Sequence, residues 1–178
     1  MIKVWIPEAC PSEIRYTLDV VLGEFLGLQF SVHVYEERAI LINTSNQSLK
    51  IDATFFHQIK DNWLHKKLLD NVSVSYLNCR ALNINPDLVN IPIIFGTPDV
   101  SELDGEIHLH FDVFGFIFFM LSRYEEAISD CKDSHFRFPD DESIMSKHGL
   151  SKRPTVNEYV EVFWYYIKKC DATLQRKP

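Results

Sequence analysis

The chain has 178 residues, 46% hydrophobic and 24% charged, and its 18 Lys and Arg against 25 Asp and Glu give a formal net charge of −7. That length suggests one domain over 1–178, able to bury about 70% of the surface its unfolded form exposes and so to fold without disulfide or metal staples. An aromatic content of 13% argues against disorder. A pI near 5.4 argues against a nucleic-acid binder or a polybasic membrane-surface protein, since both depend on clustered Lys and Arg.

Cys10, Cys79, Cys131 and Cys170 are far apart and form no C-x-x-C pair. Neither a structural zinc site nor a disulfide framework is expected, and the four read as reduced thiols of a cytoplasmic protein. The first residues show no basic stretch followed by an apolar one, so no signal peptide is read there. The longest apolar run, Val113 to Leu121, is far short of the roughly 20 residues that span a bilayer, and no membrane insertion is expected.

Ile2 to Ile6 reads as a first strand stopped by Pro7. A helix follows from Pro11-Ser12, with Ser12 as its cap, Ile14, Leu18, Val21, Leu22 and Phe25 on its buried face and Gly27 as its stop. Phe30 to Tyr35 and Ala39 to Ile42 flank a charged turn and predict a hairpin, and Leu49 to Ile51 a further strand. Phe55 to Leu69 predicts one or two helices with Trp63, Leu64, Leu68 and Leu69 buried. Ile91 to Gly96 and Ile107 to Phe111 read as strands. Asp112 is placed to cap a helix from Val113 to about Ala127, apolar on every side for two turns and so fully buried. Thr155-x-x-Glu158 has capping-box spacing and opens a last helix. The fold class is α/β, a layered domain with a mixed β-sheet flanked by helices, one of them (about 113–127) fully buried.

Two stretches could carry chemistry. In Ser122-Arg123-Tyr124-Glu125-Glu126 the buried helix turns polar, and Arg123 could grip a carboxylate or phosphate while a carboxylate serves as acid or base. In Asp133-Ser134-His135-Phe136-Arg137-Phe138, alternate residues Asp133, His135 and Arg137 would share a face if extended, and a carboxylate could orient the imidazole. The bland alternatives are an Arg–carboxylate network anchoring a helix end, and a loop pinned by its own hydrogen bonds with Phe136 and Phe138 as anchors. His108 and His110 lie on one face of a strand and could suit a metal, but with no third ligand in view they read as a core or surface pair. Asp140-Asp141 reads as a solvated turn. Trp63, Tyr76, Trp164, Tyr165 and Tyr166 could stack on sugars. No Gly-rich phosphate loop or G-x-S-x-G elbow occurs, and no complete ligand set is in view, so neither a cofactor nor a metal is expected.

In order along the chain stand Glu13-Ile14-Arg15-Tyr16, Phe25-Leu26-Gly27-Leu28, Ile93-Ile94-Phe95, a block from Phe111-Asp112-Val113-Phe114 through Leu121-Ser122-Arg123-Tyr124-Glu125-Glu126, then Asp133-Ser134-His135-Phe136-Arg137-Phe138 and Arg153-Pro154-Thr155-Val156-Asn157-Glu158-Tyr159. Together these resemble the uncharacterised N-terminal domain found ahead of the catalytic barrel in a group of bacterial polysaccharide deacetylase-like proteins. Members of that group often carry Gly where this chain has Phe136, so a tight turn is not carried over to that position. The resemblance implies that metal-dependent deacetylation belongs to a downstream barrel. Its T-x-D-D-like and H-x-x-x-H-like ligand motifs do not occur here, and the chain ends about where that barrel would begin. The expected function is therefore a non-catalytic accessory domain that packs on the barrel and helps shape a glycan-binding cleft, with the barrel and a polysaccharide as partners. The rival expectation is an independent small-molecule or glycan-processing site on Arg123, Glu125, Asp133, His135 and Arg137. A plain carbohydrate-binding module, resting on exposed coplanar aromatics, is the third.

Overall fold

A computed structural model describes residues 1–69, 72–85, 87–88 and 90–177. Six strands form one mixed sheet: β1 (Ile2–Pro7), β2 (Phe30–Tyr35), β3 (Ala39–Asn43), β4 (Ser48–Asp52), β7 (Gly96–Leu103) and β8 (Glu106–Phe111), in the order β2-β1-β3-β4-β8-β7. The pairs β1–β2 and β4–β8 are parallel, and the other three ladders are antiparallel. A small antiparallel pair, β5 (Ser75–Asn78) and β6 (Asn90–Ile93), forms a second sheet that touches the first at β7. The expected hairpin of residues 30–35 and 39–42 does not form. β1 lies between the two strands, pairing parallel with β2 and antiparallel with β3.

Side chains alternate across the sheet, so one face collects Ile2, Val4, Ile6, Ile40, Ile42, Leu49, Ile51, Ile107, Leu109 and Phe111, all buried. Helices α1 (Pro11–Leu18) and α6 (Thr155–Cys170) pack on that face. The opposite face carries Trp5, Leu41, Lys50, Asp52, His108 and His110, all only half-buried. Between α1 and α6 lies α3 (Val113–Leu121), which also touches α2 (Thr54–Ile59). Surrounded in this way, residues 113–119 of α3 are buried on every side, as their unbroken apolar pattern predicts. Phe116 stacks on Tyr159 of α6 at 4.0 Å, and Phe114 meets Phe163 at 5.3 Å.

The helix does not run to Ala127. Arg123 takes a left-handed backbone (φ 52°), which ends α3 and opens the separate α4 (Tyr124–Ile128). Leu121 at the end of α3 is already exposed. Helix α1 begins after Cys10 rather than at a Ser12 cap, and continues as a π-helical stretch over Asp19–Phe25 until Gly27, whose positive φ ends it as expected. In the 55–69 segment the buried residues are Phe55, Phe56 and Ile59, whereas Trp63 and Leu64 are about half exposed and Leu68 is partly buried. The side chain of Leu69 lies outside the described residues. Thr155 is the first residue inside α6 and makes no cap, since Glu158 turns instead to Arg153 in a bidentate pair at 2.9 Å.

Candidate functional site

Asp112 sits between β8 and α3, entirely buried. Its Oδ1 accepts from the Gly115 amide of α3 at 2.6 Å, and its Oδ2 accepts from the Phe55 amide of α2 at 2.9 Å. One carboxyl group therefore caps two helices whose first turns meet in the core. Burial pushes its pKa up to about 7, with the Asp52 charge adding to the rise and the two amide donors pulling the other way. Gly115 is required by this arrangement, because a Cβ there would stand 2.2 Å from Asp112 Oδ2 and 2.6 Å from Phe55 Cβ.

At the other end of α3, the polar run is used residue by residue. Ser122 Oγ donates to the Phe118 carbonyl at 2.7 Å. Arg123 makes the left-handed break and forks onto Glu126 through Nε at 2.6 Å and through Nη2. Tyr124 turns into the core, and its hydroxyl accepts from the Leu64 amide at 2.7 Å. Glu125 accepts from the Ile144 amide at 2.7 Å, at the start of the short helix α5 (Ile144–Lys147). Burial raises the Glu125 pKa, while the Ile144 amide works to lower it.

Residues 133–137 form a closed turn, not an extended strand. Asp133 accepts from the amides of His135 (2.7 Å) and Arg137 (2.9 Å) and pairs with the Arg137 guanidinium at 2.8 Å. The Arg137 amide, and after it that guanidinium, holds the Asp133 carboxyl below its ordinary pKa. Phe136 adopts the left-handed backbone (φ 60°) at the turn, so the tight turn exists here with Phe in a position that favours Gly. Its ring is 88% exposed and anchors nothing, in contrast to Phe138, which is half-buried. Arg123, Glu125, Asp133 and Arg137 line one open cavity of about 880 Å3, together with Phe119 and Phe138. The exposed His135 is not part of its lining. Among the described residues no hydrogen bond crosses from the Arg123–Glu125 side to the Asp133–Arg137 side.

Sequence spacing left His108 and His110 without a third partner, and the fold brings one. β4 and β8 run parallel with Ile51 opposite Leu109, which sets Asp52 beside the two histidines. Asp52 Oδ1 is 2.8 Å from His108 Nε2, and the two imidazole centroids are 4.0 Å apart. Ser101 Oγ of β7 is 2.8 Å from His110 Nε2. One ligand atom from each of Asp52, His108 and His110 lies within 4.8 Å of the others. Asp52 and His108 are 56 residues apart, so only strand pairing could reveal the group. The proposed sugar-stacking aromatics do not form a flat platform where they touch. Trp63 meets Tyr124 edge-on at 78°, Tyr165 meets Tyr166 at 88°, and Trp164 is covered by Lys168 and Arg176.

No helix among the described residues is long and apolar enough to cross a membrane. No curated protein and no solved structure matches the chain. Residues 2–172, nearly its whole length, match a family of unknown function, DUF7033, and the chain belongs to that family.

Proposed function

We propose that this domain is a non-catalytic accessory module of a polysaccharide deacetylase-like protein, packing against a catalytic barrel and helping to shape its glycan-binding cleft. The association with deacetylases rests on the F-D-x-F, L-S-R-Y-E-E and D-x-H-x-R-F blocks. What supports the accessory role is the employment of those same blocks: Asp112 and Glu125 cap helix starts, Arg123 is tied to Glu126, and Asp133 to Arg137. Groups bound in this way hold a shape. The open cavity of about 880 Å3 beside them is the concave surface assigned to the cleft wall. The test compares the parent protein with and without residues 1–178 for deacetylation of its glycan and for thermal unfolding of the barrel. Loss of either is expected on deletion, and an unchanged barrel overturns the role.

The same cavity favours a second reading, an independent site on Arg123, Glu125, Asp133, Arg137 and His135, because four of the five line it. Titrating the isolated domain with short oligosaccharides separates the two. Saturable binding that disappears in Arg137→Ala while the fold persists would select the second reading, and no binding selects the first.

A further inference from the structure

We infer that Asp52, His108 and His110 bind a divalent transition-metal ion of the zinc class on the uncovered face of the sheet. Residues two apart on a strand point the same way, so β8 presents two imidazoles side by side, and the neighbouring parallel strand adds one carboxylate. Two nitrogens and one oxygen are a donor set that suits zinc, and three protein ligands are the number found in sites that keep a coordination position open. Around a tetrahedral ion with donors at roughly 2.0–2.2 Å, donor atoms stand about 3.3 Å apart. The present spread of up to 4.8 Å must close by up to about 1.5 Å to reach that spacing. Asp52 and His108 side chains are 34% and 22% exposed, open enough for an ion to enter and sheltered enough to hold it. Ser101 engages His110 Nε2, which leaves Nδ1 as the ring nitrogen for the ion and gives the histidine the kind of outer partner that metal-bound histidines have.

An Asp52–His108 hydrogen bond and a Ser101–His110 hydrogen bond hold the two imidazoles side by side on β8, 4.0 Å apart. A shared cation would draw on both rings and on Asp52 at once. Lys50, opposite His108 in register, is the opposing charge on the same face. It also lines, with Glu37, Arg38, His57, Asp52 and His108, an adjoining cavity of about 530 Å3. The free coordination position therefore adjoins a recess of mixed charge, and the ligand it takes is water.

The experiment titrates the full chain with Co2+, followed by visible absorption, and with Zn2+, followed by calorimetry. One equivalent per chain is expected, with the ligand-field bands of nitrogen and oxygen coordination. Affinity should fall at least about tenfold in Asp52→Ala and in His108→Ala, a loss typical of disturbing a metal shell, and should stay unchanged in Asp133→Ala. Circular dichroism and melting of each variant report its fold, and if His108→Ala does not fold, the volume-conserving His110→Gln decides. No uptake, uptake indifferent to all three ligands, or a thiolate charge-transfer band marking a cysteine site overturns the proposal. The accessory reading stands or falls separately, on the barrel.

Discussion

Replacing Asp112 by Ala removes the acceptor of two amides that are buried where α2 and α3 begin. Each orphaned buried donor costs about 1–2 kcal/mol, and loss of a helix cap measured elsewhere is of the same size. The double cap is therefore worth roughly 2–4 kcal/mol, or a melting temperature lower by about 5–15 °C for a domain of this length. Asp112→Asn keeps one acceptor oxygen and turns an amide group toward the other donor, so it should recover part of the loss. The two variants also separate capping from charge. Burial raises the Asp112 pKa from 3.8 to about 7, so between these values the folded chain holds a proton that the unfolded chain has released. Its contribution to stability is complete below about pH 4 and declines as pH rises to 7, by at most about 1.4 kcal/mol per unit and on the order of 4 kcal/mol in all. Urea unfolding of the native chain and of Asp112→Asn, measured from pH 4 to 8, should show the native chain losing its advantage across that window. Parallel profiles for the two proteins, or a native advantage that grows with pH, would refute the assignment of a buried, unpaired carboxyl.

Phe136→Gly should stabilise the domain by about 0.5–1 kcal/mol, since relief of a left-handed non-Gly backbone outweighs the added freedom of the unfolded chain; a melting temperature that falls would contradict this. Glu125→Ala should cost about 1 kcal/mol through the Ile144 amide, with hydrogen exchange accelerated at α5 and unaltered in β1. Tyr124→Phe keeps the packed ring but leaves the Leu64 amide without its acceptor, for an expected loss of about 0.5–1.5 kcal/mol in denaturant unfolding. Gly115→Ala should be more damaging than either, because the added methyl meets both the capping carboxylate and Phe55, and a soluble variant melting within a degree of the native chain would show that the helices can part.

What the sequence made legible was local. The apolar run from Val113 announced a buried helix because no polar residue interrupts it for two turns, and Asp112 announced its own cap. Its second capping partner, Phe55, lies 57 residues upstream and could not be read from spacing. Pairing was equally hidden. Residues 30–35 and 39–42 have the alternation and charged turn of a hairpin, yet β1 takes the place between them, a long-range pairing that local alternation does not encode. The end of α3 at Arg123 was missed for a different reason: a left-handed backbone at Arg carries no sequence signal of the kind Gly gives. The Asp52–His108–His110 group lay half in view, two ligands on one strand and the third on another.

Three acidic groups of the resembling blocks show why an altered ionisation is not by itself a mark of catalysis. Asp112 and Glu125 are raised by burial, and Asp133 is lowered by the amides and guanidinium that surround it. Such shifts in a cleft are a reason to suspect an active site. Asp112, however, is only 1% exposed, and both of its oxygens are engaged by helix amides, so no substrate can reach it. Asp133 is reachable but satisfied four times over by its own turn. Glu125 alone combines a raised pKa with a place in the wall of the open cavity, and even there its Oε1 is committed to the Ile144 amide. A carboxyl group that must leave a helix start to act as a base would have to give up that helix start first, and this is the physical reason for reading the polar end of α3 as structure.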